Sequence, residues 1–317
     1  MTAPKHDDGA ERIGEQPNPP LTRGLRCAVV AKPARKPDLD GRRRIIEAPL
    51  EEAGWPAPSW WETTPQDPGT GQARSAVAAD AQVVFVCGGD GTVRAVIAGM
   101  LGTDAALAVL PAGTGNLLAT NLELPDDPVQ GVRLVIAGGR RELDVGQVDG
   151  QVFAVMAGMG FDAAMMRDAS ERLKARIGPI AYVFSALKHL RDRPMRLEVQ
   201  IDDSEPLRYV ARSVLVGNVG RLQGGVRLLP NAQPDNGQME VAILRPHHLG
   251  HWARLAAAVV LRRTRVPTMT TLRGSRISIV SDRPQPRQLD GDVIEPADNL
   301  KVTVRPGGVR LCAAQPH

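Results

Sequence analysis

Cysteine is scarce in this chain: three residues in 317, namely Cys27, Cys87 and Cys312, odd in number and far apart. That excludes a disulfide framework, and no pair has the short spacing of a zinc site. The three read as reduced thiols of a cytosolic protein, with Cys87, at the end of an apolar run, serving packing. The six histidines form no His-Glu-x-x-His pattern, and His247, His248 and His251 read as exposed imidazoles at a helix start. No run of about 18 apolar residues occurs, which excludes a spanning helix. Residues 255–261 suit an amphipathic or buried helix instead. Residues 1–21 are polar and proline-rich without an apolar stretch, which predicts a disordered tail and no signal peptide. Charge of one sign is lacking too. With 39 basic and 35 acidic residues the formal net charge is +4, too little to indicate a nucleic-acid binder. It is compatible with approach to a phosphate or to an anionic membrane surface.

What is present is an ordinary globular composition, 43% hydrophobic and 23% charged. The length suffices for one large domain or two ordinary ones. The first half alternates short apolar runs with helical patterns. Residues 27–31, 82–87 and 106–110 predict buried strands. Helices are predicted from about residue 42, interrupted by Pro49, and over 70–79. Val93, Val96, Ile97, Met100 and Leu101 mark one face of a further helix. This pattern predicts a parallel α/β layer. After Glu142 the signal becomes alternation: Leu197, Val199, Ile201; Met239, Val241, Ile243; Leu300, Val302, Val304. Alternation predicts antiparallel sheet with one wet face, and Asp149-Gly150 a hairpin turn. Helical stretches interrupt at about 162–175, 180–191 and 248–263. The expected division is a tail over 1–21, an α/β domain over 22–145 and a β-rich domain over 146–317.

Two glycine loops stand out. Gly88-Gly89-Asp90-Gly91-Thr92 lies between a predicted strand and a helix, on the edge of a parallel sheet where ligands bind. Glycines let backbone N–H groups approach an anion, and the helix start adds partial positive charge. The aspartate would repel phosphate, so it acts through a cation or water, or it orients the loop. A bare βα turn with Asp90 as cap is the plainer reading, but three glycines and a threonine exceed what a cap requires. Gly113-Thr114-Gly115-Asn116 follows the next strand with the same logic. A Walker A loop is absent. The stretch from Gly158 to Ala163 mimics a dinucleotide fingerprint but lacks the βαβ context. Asp290-Gly291-Asp292 projects two carboxylates from one bend, and by spacing alone it is most simply a solvated turn.

Taken together and in order, these segments resemble the diacylglycerol kinase catalytic domain and the bacterial lipid kinases of the diacylglycerol and sphingosine kinase superfamily. Leu143-Asp144-Val145-Gly146, Gly160-Phe161-Asp162-Ala163, the segment from Leu229 to Gly237, and Leu289-Asp290-Gly291-Asp292 extend the resemblance over about residues 25–310. It implies a phosphofructokinase-like α/β N-terminal domain and a mostly antiparallel β-sandwich C-terminal domain. It implies ATP and Mg2+ as cofactors and a lipid alcohol such as diacylglycerol as acceptor. Gly88, Gly89, Asp90, Gly91, Thr92, Gly113, Thr114 and Asn116 would bind nucleotide, together with Thr63 or Thr64. Asp90, Asp144, Asp235, Asn236 and Asp292 would serve the metal, and Asp290 would be the general base. The chain departs from the family at Lys32 and at Arg94-Ala95, where Asn-Pro and Asn-Glu are usual. It departs again at Leu117 and Asn236, where aspartates are usual. The departures at Ala95, Leu117 and Asn236 keep a second reading open, a nucleotide-binding pseudokinase. A third, a soluble kinase of NAD-kinase type, lacks the further threonine-rich Gly-Ser motif expected there. The expected setting is cytoplasmic, with peripheral contact at the inner membrane face through Arg262, Arg263, Arg265, Arg273 and Arg276, a run that equally suits a solvated surface.

Overall fold

The computed structural model describes residues 24–33, 36–160, 193–221, 228–245 and 269–314. The tail, the three expected helices beyond residue 160, the three histidines, and Arg262, Arg263 and Arg265 lie outside the described residues.

Four strands run parallel: β1 (Cys27–Ala31), β2 (Ser59–Glu62), β3 (Val83–Gly88) and β4 (Ala106–Pro111), side by side in the order β2-β1-β3-β4. The continuous apolar runs of β1 and β3 are buried along their whole length, as expected of strands covered on both faces. Helices α2 (Thr70–Ala78) and α3 (Asp90–Met100) cover one face, packing Ala76, Val96 and Ile97 onto Val30, Val84 and Val86. Helices α1 (Lys36–Glu52) and α5 (Pro128–Ile136) cover the other, packing Ile46, Leu50 and Val132 against Val29 and Phe85. A short α4 (Leu117–Asn121) follows the second glycine loop. Helix α1 starts earlier than its sequence pattern predicts and continues through Pro49. Ile46 and Leu50, each 1% exposed, anchor it to the sheet on either side of the proline. Tertiary burial thus outweighs the hydrogen bond a proline removes.

The second half is antiparallel. Strands β5 (Arg140–Val148), β6 (Gln151–Phe153) and β7 (Met156–Gly160) lead into β8 (Met195–Ile201), β9 (Leu207–Ala211), β10 (Ser213–Gly217), β11 (Met239–Leu244) and β12 (Met269–Gly274). Two long strands, β13 (Arg276–Leu289) and β14 (Asp292–Cys312), complete it. They form a β-sandwich around Phe153, Met159, Val214, Ile279 and Leu300. Asp149-Gly150 is the predicted hairpin turn, with φ of 49° and 79°, the geometry of a two-residue type I′ loop. The alternation read in β8 holds, but all of β11 is buried. β11 lies between β10 and β12. Its Glu240, 2% exposed, accepts the Asn231 N–H at 3.0 Å.

β14 joins the two halves. It pairs with β13 and β5, and its last residues, Arg310 and Leu311, run parallel to Ala106 and Leu107 of β4. β14 therefore finishes as a strand of the first sheet, with Leu311 and Cys312 buried there. That return brings the β13–β14 hairpin to the carboxyl edge of the parallel strands.

Candidate active site

The two glycine loops leave the carboxyl ends of neighbouring strands β3 and β4 and touch. A Cβ on Gly113 would lie 2.6 Å from the Cα of Gly89, so no side chain fits at residue 113. A Cβ on Gly88 would lie 2.6 Å from that of Thr92. Gly89 caps α3 with extended backbone, and the first N–H groups of that helix have no carbonyl before them in the helix. Asp90 opens the helix, and its Oδ1 accepts the Leu117 N–H at 2.7 Å. It therefore ties the first loop to the second, which gives an aspartate among these glycines a structural role. Burial raises its carboxyl above the usual range, against the backbone bonds from Leu117, Leu118 and Asn116.

Several expected nucleotide contacts have other work. Thr92 is 3% exposed and packs beneath Gly88, so its side chain shapes the loop instead of facing outward. Asn116 accepts from the Gly113 N–H at 3.0 Å and donates to its carbonyl at 2.9 Å, closing the second loop on itself. Thr114 is exposed on that loop. Thr63 is buried, and Thr64 stands exposed just past β2, its hydroxyl accepting the Asp67 N–H at 3.0 Å.

Opposite the loops stands the β13–β14 hairpin. Asp290 and Gly291 both have positive φ, 49° and 94°, the Asp-Gly type I′ turn. It is not a solvated turn. Asp290 is 6% exposed, and its carboxylate accepts N–H bonds from Ala154, Val155 and Met156 at 2.8, 2.9 and 2.8 Å. Burial nevertheless pushes its carboxyl up to about 6, outweighing those three bonds and the nearby Arg94 charge. Asp292, on the far side of the turn, projects to the first loop. Its Oδ2 would lie 3.3 Å from a Cβ on Gly91 and pairs with Arg94 Nη2 at 2.8 Å.

The expected magnesium ligands do not converge. Asp144, 2% exposed on β5, accepts from Gly237 N–H at 2.6 Å and Gly307 N–H at 2.9 Å, fastening two turns. Asp235 pairs with Arg141 at 2.8 Å, and Asn236 Oδ1 accepts the Gln238 N–H at 3.0 Å. Among the described residues no three acidic, histidine or cysteine side chains gather around a point that could hold a metal ion. The available donors are nonetheless oxygens, as magnesium prefers. In kinase sites that ion needs only one or two carboxylates beside phosphates and water. Asp292, beside Gly91, fits such a role.

Sequence reading missed Asn218. It is wholly buried, and its Nδ2 donates to the carbonyls of Asp144 at 2.6 Å and Ala154 at 3.0 Å. It thereby links the Asp144 turns to the strand segment that Asp290 grips. The visible signal was a lone amide after the apolar run of β10. Asn121 does similar work, accepting from and donating to the Arg221 backbone at 2.8 Å.

The chain is similar to known proteins in sequence and in fold. Residues 40–148 match the diacylglycerol kinase catalytic domain, and residues 154–313 match the YegS C-terminal NAD kinase beta sandwich-like domain. The chain belongs to the diacylglycerol kinase family of lipid kinases. This family member is 30% identical to a diacylglycerol kinase of Bacillus subtilis (strain 168) over 215 residues, 65% of this chain and 69% of that one. Its fold is similar to the crystal structure of a diacylglycerol kinase from Bacillus anthracis str. Sterne, with a TM-score of 0.74 at 21% identity, covering 91% and 97% of the two chains. A more distant likeness, TM-score 0.52 at 10% identity over 91% and 94%, relates it in fold to an NAD kinase from Archaeoglobus fulgidus in complex with ATP. The kinase family and the α/β-plus-sandwich fold are thus those the motifs imply.

Proposed function

We propose that this kinase transfers the γ-phosphoryl group of ATP to the hydroxyl of a lipid alcohol, diacylglycerol or a close relative. The observation that carries the reading is the meeting of three elements at one sheet edge: two interlocked glycine loops and a hairpin bearing two carboxylates. Phosphoryl transfer asks the protein mainly to align attacking and leaving oxygens and to offset charge. The loops would cradle the phosphates through backbone N–H groups at the start of α3. Magnesium, held by Asp292 and the phosphates, would supply further charge neutralisation.

Asp290 would accept the hydroxyl proton. A carboxyl raised to about 6 is well matched to a base working near neutrality. One specific observation favours a second assignment. Asp290 is held by three N–H bonds, whereas Asp292, 54% exposed, faces the first loop directly. In that case Asp290 fixes the hairpin and Asp292 meets the acceptor.

The acceptor would be reached from the water side of a bilayer. Among the described residues no helix is long and apolar enough to cross one. Turnover of ATP with diacylglycerol, a sphingoid base and phosphatidylglycerol in mixed micelles, with products identified by mass, tests the proposal. A phosphorylated lipid is the expected product. ATP binding with no phosphorylated lipid would favour a pseudokinase, and phosphorylation of NAD alone would favour the NAD-kinase alternative.

A further inference from the structure

The ion pair of Arg94 with Asp292 joins the two halves at the mouth of the first glycine loop. Arg94 lies one helical turn beyond Asp90 and Gly91. Helical side chains lean toward the N-terminus, which carries the guanidinium back over the loop. There Nη2 meets Asp292 Oδ2 at 2.8 Å, and that same oxygen borders Gly91. The Arg94 side chain is only 19% exposed. Its charge also reaches the Asp290 carboxyl. One cation therefore faces the first loop and both hairpin carboxylates. The loop itself, Gly88 to Thr92, carries a single charge, and it is negative. Arg94 is the first basic residue after it. A guanidinium offers five donors in a planar fork, suited to binding a carboxylate and a phosphate together.

We propose that Arg94 binds the terminal phosphate of ATP and stabilises the phosphoryl group in transit, with Asp292 as its positioning residue. This rests on the kinase reading above. In the step, the bond from the γ-phosphorus to the oxygen it shares with the β-phosphate breaks. The acceptor hydroxyl oxygen bonds to that phosphorus, its proton passes to the hairpin carboxylate, and ADP leaves with the bonding electron pair. Arg94 forms and breaks no covalent bond. It sits where charge moves from phosphoryl to leaving group.

The test is calorimetry of the full-length protein with ATP and with ADP, alongside turnover of diacylglycerol in mixed micelles and melting temperatures. Arg94→Gln should weaken ATP about tenfold, as for loss of one charge-assisted contact, while ADP affinity stays within about twofold. Its kcat should fall about 10²-fold or more. Arg94→Lys should lie between, because a point charge lacks the fork. Asp292→Asn, which frees the guanidinium, should shift the ratio of ATP to ADP affinity in the same direction as Arg94→Gln but by a smaller factor. An unchanged ratio of ATP to ADP affinity in Arg94→Gln, with or without a lower melting temperature, makes the pair an interdomain strut and overturns the proposal. If the parent protein binds neither nucleotide, the kinase reading falls and this inference with it. If the parent binds ATP and Arg94→Gln binds it equally well, only this inference falls.

Discussion

The two sides of the site use backbone in opposite ways. On the α/β side, glycines leave the backbone bare, and the approach of Gly113 to the Gly89 backbone leaves no room for a side chain at residue 113. On the β side, aspartates consume the backbone: Asp290 takes three N–H groups and Asp144 takes two. The first side can be disrupted by adding atoms, the second by removing acceptor oxygens. A ligand-binding loop needs open donors near a helix start. A hairpin carrying a reactive group needs those donors satisfied, so that the group stays in place.

The largest effect should come from Asp290. Asp290→Asn sets an amide N–H2 against backbone donors that a carboxylate accepts. Leaving a buried donor unmet costs about 1–3 kcal/mol, so the melting temperature should drop. The lipid-phosphorylating rate should fall about 10²- to 10⁴-fold if Asp290 is the base. A variant that keeps most of its rate would mean that the hairpin tolerates the change and the proton acceptor is Asp292. The acid response separates anchor from base. The folded carboxyl titrates near 6, above its ordinary 3.8, so the folded state holds this proton more tightly. Its contribution to stability is therefore full below about 3.8 and falls away as pH rises through 6. Catalysis by the ionised base runs the other way and should fade as pH drops below 6. A pH–rate profile without that inflexion would count against Asp290 as base.

The α/β side gives the next effect. Gly113→Val forces bulk into the backbone of the first loop and should cost about 1–3 kcal/mol of strain in a packed contact, with ATP binding lost in calorimetry. Gly89→Ala should be milder, because a Cβ there meets only the Gly113 Cα, at 3.4 Å. Equal losses would mean that the phosphates, not the neighbouring loop, crowd Gly89. Asn218→Ala comes third. It strips the donor from two buried carbonyls, and it should lower stability by about 1–3 kcal/mol and reduce turnover with little change in ATP affinity. Thermal melts and kinetics would check both. The smallest effect belongs to the exposed Arg276–Asp203 pair, 59% and 91% exposed, where Asp203→Asn should leave melting temperature and rate unchanged.

Much of the fold was legible in the residues. Runs such as 27–31 and 83–88 are apolar throughout because both faces are covered, and glycines punctuate the strand ends. Pro49 misled because local propensity carries no knowledge of the sheet that holds Ile46 and Leu50. β11 misled because alternation cannot reveal a second covering layer.

The sequence by itself determined the class of the protein, the two loops and their family, since these rest on glycine positions and strand periodicity, which are local. Only the tertiary structure decided what each polar side chain does. It turned Thr92 inward and made Asp90 a clasp between loops. It also buried Asp290 against residues 154–156 and brought Arg94 to a carboxylate 198 positions away in the chain. Such roles depend on which backbone donors and charges meet after β14 returns to the first sheet. Long-range pairing of that kind leaves no periodic signal in the residues that make it.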